Sequence, residues 1–161
     1  VMEWLQLFDI NENPINKKIV RGFTPDEGEF IMIVYLFILN KQGEILLEQD
    51  IDTNTWVVPG GHVDTDNPID NIKREMNEEL GININNENIH NIKTIVKNNR
   101  LFKLFYIDSN IDTKSMIPSK EEVRNIKYYS LNEIDNMINN KSFKENNIIF
   151  IDAYKEFINE K

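Results

Sequence analysis

Residues 30–39, FIMIVYLFIL, form an apolar run rich in β-branched and aromatic side chains. Polar and apolar positions do not alternate in it, so as a strand it must be buried on both faces. Such a strand needs a layer packed above it and another below, which limits the chain to a layered sheet architecture.

The rest of the pattern supplies the layers. Residues 3–10 alternate polar and apolar, a strand signal, and Asn11, Glu12, Asn13 and Pro14 provide a turn. Residues 23–29 read as a loop. After the apolar run, Asn40, Lys41, Gln42 and Gly43 form a hairpin turn and residues 44–48 a return strand. Trp56, Val57 and Val58 make a short strand running into a double-glycine turn at Gly60 and Gly61. A helix is expected over 68–80, capped by Asn67 or Asp66, started by Pro68 and ended by Gly81. Strands at 89–96 and 101–107 turn at Asn98 and Asn99, a polar surface loop covers 108–119, and a last strand lies at 126–130. Two helices close the chain, at about 131–139 and 147–159. The expected result is one domain with a mixed sheet covered by helices.

With 161 residues, 40% of them apolar, the chain is long enough for one core and too short for two comfortable ones. A net charge of −9 argues against a sequence-independent grip on a nucleic-acid duplex. An acidic protein that binds a phosphorylated small molecule needs cations to bridge the two. The absence of cysteine excludes disulfides, thiolate metal sites and cysteine nucleophiles. No apolar run reaches the roughly 18 residues of a membrane span, and the first residues lack a signal-peptide pattern, so a soluble cytoplasmic protein with no membrane partner is expected.

Chemistry concentrates on the helix at 68–80. At 100° per residue, Glu75, Glu78 and Glu79 share an arc of about 100°, with Arg74 at its edge and Ile69, Ile72, Met76 and Leu80 on the adjoining stripe. Read on its own, this is either a solvated acidic face or a cation site. Exposed like charges at this spacing cost only about 0.2–0.5 kcal/mol per pair. Partly buried, at an effective dielectric near 20, each pair costs roughly 3 kcal/mol, and a divalent cation becomes the natural remedy.

The string Gly61 … Asp66 … Arg74-Glu75-Met76-Asn77-Glu78-Glu79-Leu80-Gly81-Ile82 resembles the Nudix box: Gly, five residues, Glu, seven residues, then Arg-Glu-U-x-Glu-Glu-x-Gly-U with U aliphatic. The half from Arg74 to Ile82 matches at every defined position. The preceding residues 56–63 are similar to the strand and double-glycine turn that enter the box, and Tyr128 to Ile134 is similar to the strand-then-helix ending of these domains. The loop is one residue short, and the early glutamate becomes Asp66, whose role is structural or supporting.

The resemblance implies a Nudix-type α/β/α sandwich with a central mixed β-sheet. It implies a single Nudix domain over 1–161, with an N-terminal hairpin and loop at 1–28 and the box at 60–82. The implied activity is that of a MutT-like pyrophosphohydrolase: hydrolysis of a nucleoside diphosphate linked to another group, with Mg2+ or Mn2+. By position, Glu75, Glu78, Glu79 and the Gly60 carbonyl would hold metal, and Arg74 would orient Glu75 through a charge-assisted hydrogen bond. Glu75 is the preferred general base, with Glu121 and Glu122 as later-loop alternatives. Gly61, His62 and Glu122 would meet substrate, a small nucleoside diphosphate derivative, and a homodimer is open.

Other residues carry two readings each. His62 touches phosphate or faces solvent; Arg21, Lys17 and Lys18 contact phosphates or solubilise the hairpin. Trp56 is core packing rather than a base-stacking platform, His90 is structural, and Phe102, Phe105 and Tyr106 serve the core. The N-terminal hairpin, with Arg21 and Gly22 after it, is similar to the branch containing type I isopentenyl-diphosphate isomerase. That activity needs a cysteine and histidine metal ligands, which this chain lacks at the matching places. A Nudix-fold module that binds or senses a nucleotide without catalysis is the other alternative; such modules usually lose box carboxylates that are present here.

Overall fold

The structure is a computed structural model and describes residues 2–160; Val1 and Lys161, the two ends of the expected domain, lie outside the described residues. Among the described residues nine strands and three α-helices follow in order. The first strands are β1 (Trp4–Phe8), β2 (Pro14–Val20), β3 (Phe30–Leu39), β4 (Ile45–Asp50), β5 (Trp56–Val57) and β6 (Gly60–His62). Then come α1 (Pro68–Leu80), β7 (His90–Lys97), β8 (Arg100–Asp108), β9 (Val123–Tyr129), α2 (Leu131–Asn139) and α3 (Ile148–Asn159).

β3 is the spine of a mixed sheet. β8 runs parallel along its whole length, from Ile31↔Arg100 to Leu39↔Asp108. A strand has only two hydrogen-bonding edges, so β1, β6 and β4 share the other in succession, all antiparallel. β2 extends the sheet beyond β1, β7 beyond β8, and β5 and β9 pair with β4.

The apolar run behaves as a strand covered on both faces, because alternate residues point to opposite sides. Met32, Val34, Leu36 and Ile38 pack with Ile72, Met76 and Leu80 of α1. Phe37 and Leu39 pack with Ile134 and Met137 of α2 and Phe150, Ile151 and Tyr154 of α3. The fold is therefore the α/β/α sandwich expected. Trp56 belongs to the α2/α3 side, edge-on to Tyr129 with ring centroids 5.0 Å apart, so its packing role holds. Among the described residues no helix is long and apolar enough to cross a membrane.

One local expectation is corrected, and a choice between two is made. Gly60 and Gly61 are not a turn but the start of β6, paired with Tyr35 and Val34 of β3. Asn67, not Asp66, caps α1: its Oδ1 accepts from the Ile69 N–H at 3.0 Å and the Asp70 N–H at 3.2 Å. Gly81 ends the helix with φ 66°, a left-handed conformation that glycine adopts without a Cβ penalty.

Candidate active site

The two glycines of β6 are needed for close approach. A Cβ on Gly60 would run into the Val34 carbonyl oxygen, and one on Gly61 would lie 2.6 Å from the Glu75 carboxyl carbon. Bare backbone at Gly60 lets β6 pair closely with β3, and at Gly61 it lets Glu75 of α1 lie directly over the strand. Asn71, fully buried, fastens the two elements together. Its Nδ2 donates to the His62 carbonyl at 3.0 Å, and its Oδ1 accepts from the Asp64 N–H at 3.1 Å and from Arg74 Nη2 at 3.2 Å.

Between β6, α1, the middle of β3 and the end of β4 lies a cleft of about 830 Å3, lined by Glu48, Asp50, Asp64, Glu75, Glu78, Glu79, Glu121 and Glu122 among others. Glu75 and Glu79 are turned inward and partly buried, whereas the Glu78 side chain is 60% exposed at the rim. Glu48 projects from β4 and is 6% exposed, within hydrogen-bonding reach of Glu79. Burial raises the proton affinity of both groups well above the usual carboxylate range, Glu79 most; the neighbouring charge of Glu48 adds to the shift of Glu79, and those of Glu122, Glu75 and Asp50 to that of Glu48. Glu48 Oε1 and Glu79 Oε2 are buried with no hydrogen-bond donor. Two facing carboxyls of this kind need a shared proton or a shared cation. Burial, then the charge of Glu78, pushes Glu75 up to about 7 against the pull of Arg74.

Helix α1 also brings the last acids in. The Ile117 N–H donates to the Leu80 carbonyl at 2.8 Å and the Ser119 N–H to the Glu79 carbonyl at 2.7 Å. The chain is thereby pinned to the helix end just before Glu121 and Glu122. The Ile51 N–H then donates to the Glu122 carbonyl at 3.1 Å. This places both later-loop acids on the cleft wall.

His62 lines the cleft as well. Burial, then the charges of Arg21 and Arg100, push its imidazole down to about 4, so it is neutral at physiological pH. The cleft thus gathers Gly60, Gly61, His62, Arg74, Glu75, Glu78, Glu79 and Glu122, the residues expected to act in catalysis, hold metal or meet substrate.

Two expectations about box residues change. Arg74 Nη2 lies 2.9 Å from Asp64 Oδ1 but 3.7 Å from Glu75 Oε1, beyond a hydrogen bond. Arg74 therefore holds Asp64 and Asn71 directly and reaches Glu75 only as a neighbouring charge. Asp66 is exposed and does not line the cleft, because the shortened loop leaves it on the outer bend while Asp64 takes the inward position. Glu48, Asp64 and Asn71 were missed by the sequence reading. Glu48 had a visible signal, a carboxylate following the apolar Ile45, Leu46 and Leu47 of a strand. Asp64 and Asn71 had none beyond their closeness to the box.

Among the described residues no three carboxylate or imidazole groups already stand in metal-ligating geometry. The donor set is nevertheless the kind a hard divalent cation takes: carboxylate oxygens that repel one another, two of them orphaned in the interior. No thiolate is available and no methionine among the described residues lines the cleft, while His62 lies on β6, apart from the elements that carry Glu48 and Glu79. The residues fit Mg2+ or Mn2+ better than a softer metal.

A layered α/β fold with a carboxylate-lined cleft at the edge of one helix defines a class of phosphate-processing enzyme. The family model of the NUDIX domain matches residues 30–152, and the chain belongs to the Nudix family, hydrolases of phosphoric anhydride bonds. Among solved structures it is similar to DR0079 from Deinococcus radiodurans, with a TM-score of 0.66 at 16% identity over 84% of this chain and 88% of that one. The MutT protein of Methanosarcina mazei matches with a TM-score of 0.60 at 23% identity over 81% and 94%. The NUDIX domain of Shewanella oneidensis NrtR, solved with ADP ribose, matches with a TM-score of 0.62 at 13% identity over 79% and 87%. These likenesses are of fold. No curated protein sequence matches the chain significantly.

Proposed function

We propose that the protein hydrolyses a nucleoside diphosphate linked to a second group, with the diphosphate held at the acid cleft through Mg2+ or Mn2+. The observation that carries this is the buried Glu48–Glu79 pair beside Glu75, carboxylates whose packing is reasonable only if something positive is shared among them. Glu75 and Glu79 would hold the metal with the Gly60 carbonyl, Glu78 would close the set from the rim, and Glu48 would complete it from β4. When bound, such a cation neutralises the diphosphate and makes a water more acidic.

The chain's own residues do the remaining work. Glu75, centred over β6, takes the proton from the attacking water as its oxygen bonds to phosphorus. The anhydride P–O bond breaks, and the leaving phosphate departs as an anion. Arg74 keeps Asp64 and Asn71 in place and lends positive charge to the Glu75 side of the cleft. Asn71 keeps α1 and β6 in register, and His62, neutral, offers a hydrogen bond to substrate oxygens. Gly61 keeps the approach to Glu75 open.

The test is a phosphate-release screen over nucleoside diphosphate derivatives with Mg2+ or Mn2+. Wild type should turn over at least one class, and Glu79→Gln should lose turnover by at least about a hundredfold. Glu78→Gln, at the exposed rim, should lose less. Metal-independent turnover, or turnover indifferent to Glu79→Gln, would overturn the assignment.

A further inference from the structure

A second cavity of about 730 Å3 adjoins the acid cleft, with Arg21, Ile33, Tyr35, His62, Lys144 and Asn146 forming part of both linings. Its character is opposite. Arg21, Lys97, Arg100 and Lys144 line it and no carboxylate does, in a chain of net charge −9. Arg21 is answered by Glu3 at 3.0 Å. Arg100 and Lys144 have no carboxylate within 4.0 Å among the described residues. Phe23 stands at its rim, 67% exposed, and Tyr35 and Phe102 form its wall.

This arrangement follows from strand geometry. Arg100 and Phe102 lie two residues apart on β8 and so share a face, and their β3 partners Ile31 and Ile33 share it with Tyr35. That face is the one away from α1. Lys144 comes from the segment before α3, which its own N–H ties to the Trp56 carbonyl at 2.9 Å. Two cations from distant parts of the chain are thus set around an aromatic wall, next to a site built for a diphosphate.

We propose that this cavity binds a further phosphate of the substrate, beyond the diphosphate held at the carboxylates, with Arg100 and Lys144 as its ligands. The inference rests on the hydrolase reading for what occupies the neighbouring cleft. Without an anion, Arg100 and Lys144 would line this cavity beside Tyr35 and Phe102 with no carboxylate to answer them; a phosphate answers both, and the guanidinium matches it in two parallel hydrogen bonds. The volume is that of a pocket for one ligand moiety. The phosphate can be a third one in the chain or a phosphomonoester on the nucleoside ribose, and these are separable.

The experiment compares kcat/KM within matched pairs: ATP against ADP, and ADP-ribose carrying a 2′-phosphate against ADP-ribose. In wild type the member with the extra phosphate is preferred in one pair, and that pair identifies the source. In Arg100→Gln and Lys144→Gln the preference falls tenfold or more, mainly through KM, and Arg100→Lys restores part of it. A preference unchanged within twofold in both variants overturns the proposal. Calorimetry without divalent metal, with adenosine 2′,5′-bisphosphate or tripolyphosphate as probe, reads the cavity independently of turnover. Binding that weakens tenfold in both variants supports it, and binding indifferent to both overturns it. If no substrate turns over, the hydrolase reading fails while the binding result still decides the cavity.

Discussion

At Gly61 one methyl group would decide where Glu75 sits. A Cβ there would come within 2.8 Å of Glu75 Oε2, the flexible end of a side chain, so the fold can yield at small cost while the carboxylate is displaced. Gly61→Ala is therefore expected to keep most of its thermal stability and to lose turnover by roughly ten- to a hundredfold, the scale of a misplaced reacting group. Gly60→Ala presents its Cβ to the backbone oxygen of Val34, which cannot swing away, and the expected loss is in stability. Thermal melts beside kcat measurements separate the two; equal effects of both substitutions on melting would contradict the distinction. Glu79 and Glu48 make a second contrast at this scale. Glu79→Gln gives Glu48 a permanent amide donor where the metal-free wild type depends on a proton shared by the pair, so the metal-free variant should melt no lower than metal-free wild type.

Between elements, the N-terminal hairpin is fastened to the far side of the sheet by Glu12, at the β1–β2 turn with φ 68°. Its Oε1 accepts from Lys103 Nζ at 2.6 Å and from the Thr94 hydroxyl at 2.8 Å. Burial alone would raise the Glu12 carboxyl, but the hydrogen bonds from Lys103 and Thr94 outweigh it and leave it below its ordinary value. A carboxyl depressed on folding stabilises above its unfolded value near 4.5 and loses that contribution as pH falls through the lower folded value. Wild type should thus exceed Glu12→Gln in stability at pH 7, and chemical denaturation should show the gap closing below about pH 4. A gap that widens in acid would contradict this reading. Asn71, serving three partners between α1 and β6, belongs here too: Asn71→Ala should cost about 2–3 kcal/mol in the same assay, since it orphans the groups it served.

The elements were legible to different depths. The Phe30–Leu39 run announced its own burial on both faces, and Pro68 and Gly81 bracketed α1 because their backbone preferences are local. The double glycine misled: its need is for close approach to Val34 and Glu75, which no local signal distinguishes from a turn. Spacing along the box, the one thing the sequence lets be counted, points to Asp66 as the early acid. Which residue turns inward, Asp64 or Asp66, depends on how the shortened loop meets Arg74 in three dimensions. Glu48 joins the site across 31 residues of chain from Glu79, a pairing that only the sheet creates.

For the whole molecule, net charge bears on the proposed cation. The acid cleft concentrates negative charge in a protein already at −9, and the compact state carries that repulsion. Mg2+ should therefore raise the melting temperature by about 5–10 °C at a hundredfold excess over its Kd, and a chelator should remove the gain. In Glu79→Gln the gain should shrink to a small fraction. The most direct measurement is Mn2+ binding by electron paramagnetic resonance, with wild type, Glu79→Gln and Glu78→Gln titrated side by side. The account expects tight binding in wild type, weakened at least about tenfold in Glu79→Gln and less in Glu78→Gln. Mn2+ bound equally by all three, or not bound by wild type, would show that the buried carboxylates are not a cation site.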